Sequence, residues 1–418
     1  MTFLGHFLRV SLLALALLLP FERIPSLELY GLTVRLSSVV VAAFILYGLP
    51  ALVYFKKISP LSWIDRAILI FLAAMSISLV DAIDPSRGLL TFLLLLFVGA
   101  GYLLVSRAAR LERLRTQAMD WVIIAGLLSA IFGLWQFFGD AAGLPTSLTG
   151  LSDRYTGAVF GFARIQSVGV EPLYYASFLL LPIFVLSGRY LFDETVKRRS
   201  LLVLGLLTLA LVLTLSRGAF LAGLAGLIVM TTAAVYRRVS WQRLLTVLLT
   251  VVAGIAGALV CIGAVSGWSG VNRFSQQSTV IDAPVQSSTA SRLDHFRQAW
   301  GLFRDNPING VGLGGYDAAS LLPDTPEEQG RQIVNNQYLE TLAETGLIGL
   351  AALVLLGLLA IGKLWRLLNQ RPDPLAVALL AALVGLIVQY NFFSTIYILY
   401  AWVLLGLIDS LPNGSQST

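Results

Sequence analysis

Arginine is the residue with the most evident chemistry here. Arg217 is the only charge in Thr214-Leu-Ser-Arg-Gly218, between two apolar runs. Arg292, Arg297 and Arg304 follow in one polar stretch. A guanidinium offers donors in a planar fork that grips phosphate oxygens in pairs, so these four, brought together, could clamp a diphosphate. Arginine at membrane depth is costly and requires an anionic partner or water. The plainer alternative is that each one snorkels and anchors a helix end.

Carboxylates and amides form the second set. Glu171, in Gly169-Val-Glu-Pro172, stands where a helix begins, so it could cap that helix, bind sugar hydroxyls or act as a base. Asn335 and Asn336 precede Tyr338 and Glu340, and asparagine is a preferred N-cap. Glu340 and Glu344 enter an apolar helix four residues apart, an expensive placement met by function or by pairing with arginine. Between the two sets lies Asn306-Pro-Ile-Asn-Gly-Val-Gly-Leu-Gly-Gly-Tyr316. It has no surrounding strand-helix-strand unit, so it reads as a tight turn, with amides offered to an anion as the alternative.

The elements that must carry these groups are membrane helices. Of 418 residues, 57% are hydrophobic and 12% charged, against about 25% charged in soluble domains. The excess of positive charge, +6, sits mostly in short loops between apolar runs, which fits membrane insertion and gives no reason to expect nucleic acid. One cysteine and two distant histidines make a thiolate or multi-histidine metal site unexpected, and no cofactor is called for. Arg9 precedes the first apolar run as in a signal peptide, but no small-residue cleavage site follows, so a retained helix is expected.

At roughly 20 residues per crossing, the chain reads as an all-α polytopic membrane protein of about twelve transmembrane helices. They fall near 4–21, 32–54, 62–80, 88–106, 120–139, 169–188, 200–215, 218–236, 243–266, 338–364, 374–391 and 393–409. With both termini inside, eighteen of the 29 lysines and arginines fall on the inside, among them Lys56, Lys57 and Arg371. Two outside segments exceed what connection needs, about 140–168 and 267–337. Within the second, 276–291 is rich in Ser, Gln, Thr and Ala and reads as mobile. From Arg292 to Asp305, Leu293, Phe296, Trp300 and Phe303 share a face about 80° wide, with arginines at its margins. This is an amphipathic helix suited to a membrane interface. His295 falls about 110° from the middle of that face and is expected to meet solvent. The chain divides into N-terminal helices 1–190, a segment 191–370 with the long loop, and C-terminal helices and tail 371–418.

Taken in order, three motifs resemble the O-antigen ligase and polymerase superfamily of bacterial membrane proteins. They are Thr214–Gly218; Arg292 through Trp300 with Asn306–Gly312; and Asn335-Asn-Gln-Tyr-Leu-Glu340 through Gly346-Leu-Ile-Gly349. The resemblance covers roughly 200–370, the ligase-like core; the first 190 residues agree in hydropathy alone. It implies an inner-membrane protein whose long loop is periplasmic and whose activity is inverting, metal-independent glycosyl transfer. The implied donor is a glycan on undecaprenyl diphosphate, and the acceptor a hydroxyl of another glycan or of lipid A–core. Membrane lipids and polysaccharide assembly proteins are the further partners it suggests. Arg217 and Arg292 match family arginines, with Arg297 and Arg304 as additional diphosphate candidates. Tyr338 and His295 are candidates for contacting acceptor or sugar. Ligases carry His-Asn where this chain has Asn335-Asn336. Asparagine cannot take a proton at neutral pH, so Glu340, Glu171 or His295 is left as base, or Asn335 only orients the acceptor. The change favours a polymerase over a ligase. The alternatives are a transporter or flippase for lipid-linked glycans, and a non-catalytic scaffold.

Overall fold

The computed structural model describes residues 2–23, 26–29, 32–54, 60–279, 283–322, 332–370 and 373–412. Lys56, Lys57 and Arg371 lie outside them, as does 323–331 of the long loop. Each apolar run of the sequence forms a helix. In chain order these are Thr2–Leu18, Leu36–Tyr54, Trp63–Ile77, Pro85–Ala108, Glu112–Ala141, Pro172–Phe192, Ser200–Leu213, Arg217–Tyr236, Trp241–Thr279, Gln337–Gln370, Pro374–Gln389 and Leu399–Ser410. Among the described residues, 7 helices are long and apolar enough to cross a membrane, and four more are shorter but apolar. The protein is a polytopic, essentially all-helical membrane protein.

Local chemistry sets several helix starts. Ser62 and Asp65 exchange side-chain and backbone bonds in a capping box. Asp84 and Asp373 each cap a helix whose first residue is proline, where the missing N–H costs nothing. Three boundaries differ from the sequence reading. The second span begins at Leu36, because Ser26–Leu29 and Leu32–Arg35 pair as a short antiparallel hairpin. The last begins at Leu399, because Tyr390 to Ile398 forms a compact non-helical segment. Helix also enters the Ser- and Gln-rich stretch from both sides, through Thr279 and from Ala283; residues 280–282 lie outside the described part.

Helix Pro172–Phe192 is buried nearly all round and forms the axis of the bundle. Helices Arg217–Tyr236 and Pro374–Gln389 pack on it closely because small residues let the backbones approach. A Cβ on Gly226 would lie 2.1 Å from the Phe184 ring and 2.8 Å from the Ala381 carbonyl. Helix Ser200–Leu213 has only 14 residues, about 21 Å of rise.

One buried ionic network ties four helices together. Arg107 bonds Asp65 at 2.9 Å and Asp409 at 3.5 Å; Tyr102 donates to Asp65 at 2.8 Å; Lys363 reaches the Asp409 carbonyl at 2.5 Å. At the other end of helix Pro85–Ala108, Arg87 pairs with Asp317 of the long loop. The two ends are about 30 Å apart by helical rise.

Candidate active site

The turn at 214–216 is the first piece. Helix Ser200–Leu213 ends, Leu215 takes a positive φ of 53°, and Arg217 opens the next helix. Loop 140–171 closes on this turn. Arg164 Nε donates to the Thr214 carbonyl at 2.7 Å, and the Ile165 amide donates to the Leu213 carbonyl at 3.2 Å. That loop is held from beneath by Gln136. Its Oε1 accepts from the Ser167 amide at 2.7 Å and its Nε2 donates to the Ser167 carbonyl at 3.0 Å. Two carbonyls left free at a helix end are thus satisfied, one by a guanidinium and one by a backbone amide.

Charge converges there. Arg164 feels Glu171 as an opposite charge and Arg292 and Arg217 as like charges. Glu171 in turn feels Arg164, Arg154 and Arg292. Arg164 also lies over the Tyr155 ring, 5.7 Å from its centroid. Five charged groups from three parts of the chain therefore face one region, four positive and one negative. Glu171 is exposed to solvent on one side and crowded by protein on the other. The crowding raises its carboxyl pKa, against the pull of Arg164, Arg154 and Arg292. Burial and the charge of Glu171 push the Tyr155 hydroxyl up to about 12.

Arg217 occupies the first position of a 20-residue helix. A cation there opposes the helix dipole. Its guanidinium makes no hydrogen bond or ion pair among the described residues, and the hydroxyl of Ser216 just before it is buried without a partner there. An anion at this point would meet the positive helix end and the arginine together. Glu171 is the N-cap residue of helix Pro172–Phe192, but its side chain makes no capping bond. The capping role considered from sequence is therefore not how this carboxylate is used.

The second piece is a broken helix. Gln337–Gln370 is interrupted at Gly346, with φ 63° and ψ −160°. The glycine-rich loop docks into the break. Val311 and Gly312 amides donate to the Ala343 and Glu344 carbonyls at 2.9 Å each, and the Leu347 amide donates to the Pro307 carbonyl at 2.9 Å. A Cβ on Gly346 would stand 2.1 Å from the Ile308 carbonyl, and one on Gly310 2.3 Å from the carbonyl carbon of Glu344. Only glycine allows this approach. Glu344 accepts from the Gly314 amide at 2.9 Å and the Tyr316 amide at 3.2 Å. The loop is a structural turn whose amides do hold an anion, and that anion is the chain's own carboxylate.

Asn336 caps the broken helix, accepting from the Tyr338 and Leu339 amides at 3.0 Å each. Glu340 accepts from the Val334 amide at 3.0 Å. Asn335 has a left-handed φ of 57°, and its side chain makes no hydrogen bond among the described residues. Tyr338 donates to the Ile387 carbonyl at 2.7 Å. An aromatic row, Tyr338, Tyr390, Phe393 and Tyr174, with centroids 6.4, 5.1 and 5.5 Å apart, connects this segment to the one that follows Glu171.

Of the residues singled out from sequence, Glu171, Arg217 and Arg292 meet. Asn335, Asn336, Tyr338 and Glu340 gather at the start of the broken helix. Arg297 and Arg304 do not join the charged cluster. Along the loop helix Ala283–Asp305 they lie about 140° and 120° around from Arg292. Both are exposed, and Arg297 pairs with Asp294 at 3.1 Å. His295 corrects an expectation: it is 2% exposed, with Nδ1 2.8 Å from the Tyr316 hydroxyl. The loop helix packs by the face that holds His295 and Ala299, against Tyr316, Val334 and Ala343. Leu293 and Trp300, half of the apolar stripe, point outward instead. Arg154, Tyr155 and Arg164 were missed because their neighbours form no motif. The available signal was basic residues in an over-long outside loop, against the insertion rule.

One known family is similar to part of the chain. Residues 202–354 match the family model described as O-Antigen ligase. That segment is similar to the O-antigen ligase family, in line with the resemblance to the O-antigen ligase and polymerase superfamily seen in the motifs. No curated protein matches the chain. The matched segment carries Arg217, Arg292, the glycine loop and the break at Gly346. Arg154, Arg164 and Glu171 lie before it.

Proposed function

We propose that the protein is a periplasmic glycosyltransferase that moves a glycan from undecaprenyl diphosphate to a hydroxyl acceptor, with inversion. It sits in the bacterial inner membrane with twelve crossings and both termini in the cytoplasm. What supports this reading is the convergence of Arg164, Arg217 and Arg292 around Glu171. The acceptor oxygen attacks the anomeric carbon as the bond to the diphosphate breaks. The bonding pair stays on the diphosphate oxygen, where Arg164, Arg217 and Arg292 stabilise the charge. The acceptor proton passes to Glu171, a carboxylate that these arginines surround with positive charge. Asn335 orients the acceptor. With asparagine in place of the ligase histidine, polymerisation of glycan repeats is the favoured outcome over transfer to lipid A–core.

The test incubates purified protein with a polyprenyl-diphosphate oligosaccharide and candidate acceptors and reads product length. A ladder means polymerase and a single addition means ligase. No product, with donor carried across liposomes or merely bound, means a transporter or scaffold and sinks the proposal. Arg164→Ala, Arg217→Ala and Arg292→Ala should each lower transfer by about 100-fold or more, as loss of a charge-stabilising donor does. Full activity in all three, with normal insertion, removes the clamp.

A further inference from the structure

Glu22 stands behind this site, in a segment that no motif marks. It follows the first helix, Thr2–Leu18, and is 8% exposed. A carboxyl group buried this deeply normally has a task or a partner. The backbone around it is clamped to the loop that carries the site. The Glu22 and Arg23 amides both donate to the Val168 carbonyl, at 3.1 and 2.9 Å, and Arg23 donates to the Gly150 carbonyl at 2.9 Å. The Val170 amide, next to Glu171, faces the Glu22 carboxyl and favours its charged form. The turn 168–171 is thus gripped at both Val168 and Val170 by one short segment.

That grip matters because Glu171 has no other local restraint. Its side chain makes no capping bond, though it is the N-cap residue. Where its carboxylate points is set by the backbone of 168–171. We propose that Glu22 is a positioning residue for the transfer reaction, holding the Val168–Glu171 turn so that Glu171 is aimed at the acceptor hydroxyl. This deepens the function proposed above and rests on it for the identity of the reaction.

The surroundings of Glu22 make its charge state part of the device. Burial pushes its pKa up to about 7; Arg35 and the Val170 amide pull the other way. Arg35 at the hairpin end, Tyr174 on helix Pro172–Phe192 and Tyr400 on helix Leu399–Ser410 are the titratable groups that share its field. Tyr174 senses both Glu171 and Glu22. Ionised Glu22 holds the Val170 amide through a charge-assisted contact, the stronger kind. Neutral Glu22 keeps the bond from Val170 without that charge.

Two variants test this. Glu22→Ala removes the acceptor; kcat should fall about 10- to 100-fold, the scale of a small misplacement of a reacting group. KM for the lipid-linked donor should stay within about 3-fold, because the arginines are untouched. Glu22→Gln keeps an acceptor oxygen and removes the ionisation. It should restore most of kcat at pH 6 and lose the inflection near pH 7 from the pH profile. A Glu22→Gln profile that superimposes on wild type, or a Glu22→Ala change confined to KM, overturns the proposal. If Glu22→Ala fails to fold, the Glu22→Gln profile alone decides. Hydrogen exchange separates this idea from the reaction: the Val170 amide should exchange faster in Glu22→Ala than in wild type or Glu22→Gln. Wild-type protein inert toward every glycan donor counts against the proposed function, while unchanged exchange at Val170 counts against Glu22.

Discussion

Asn335 sits in left-handed backbone at φ 57°. That conformation costs most side chains about 1–2 kcal/mol and asparagine less. Asn335→Gly should therefore leave stability nearly unchanged and reduce transfer, whereas Asn335→Ala should lower both. Thermal midpoints beside turnover rates distinguish them. Asn336→Ala removes an N-cap and should cost about 1 kcal/mol of stability. Glu22 gives a prediction with a definite sign. Its folded pKa, about 7, lies above the ordinary carboxylate value of 4.5. The folded state thus holds the proton more tightly, and its stability contribution is present below pH 4.5 and lost as pH rises through 7. Glu22→Gln should flatten that loss in a series of melts from pH 4 to 8. At this scale the sequence showed which residue types were costly, and at Arg217, Arg292 and Glu171 cost coincided with the site. It could not place Arg154, Arg164 or Glu22, because their relation to the site is made only by the path of loop 140–171. Read against the insertion rule, however, Arg23, Arg154, Arg164 and Arg217 are among the basic residues in outside segments other than the long loop, and all lie around this site.

Among the elements, the broken helix Gln337–Gln370 is the one that most constrains its neighbours. A helix cannot be interrupted in an apolar setting unless other groups satisfy the freed backbone. Here the loop 306–316 does so, and glycine at Gly310 and Gly346 is required by both φ and space. Gly346→Ala should destabilise by several kcal/mol, since it meets both a forbidden conformation and a carbonyl 2.1 Å away. Glu344→Ala removes the acceptor from two buried amides and should cost on the order of 3 kcal/mol. Both should appear as lowered thermal midpoints in detergent. The sequence announced the pieces, as Asn-Gly-Val-Gly-Leu-Gly-Gly and Glu-Thr-Gly-Leu-Ile-Gly, but periodicity could not show that one is inserted into the other. That is a tertiary relation between residues about thirty apart. The same limit hid the orientation of the loop helix, whose buried face is chosen by Tyr316 and Val334 rather than by its own stripe.

Across the whole molecule, the ionic network at Arg107, Asp65, Asp409 and Lys363 holds the end of the bundle away from the site. Arg107→Ala leaves buried Asp65 without its cation and Asp409 with Lys363 alone, and should cost about 3–5 kcal/mol, yet molecules that still fold should transfer at the wild-type rate. Unfolding midpoints read beside activity per folded protein check this. The short helix Ser200–Leu213 has a separate implication. Its 14 residues rise about 21 Å, some 9 Å less than the hydrocarbon of an average bilayer. Arg217 follows that helix directly, so either the lipid thins around it or the arginine lies beneath the plane of the headgroups. On the proposed function, a carrier's pyrophosphate would in both cases be met without being lifted out of the leaflet, and the thickness of the host bilayer would become a control on turnover. Proteoliposomes of graded acyl length should show an optimum on the thin side, with activity declining as the chains lengthen.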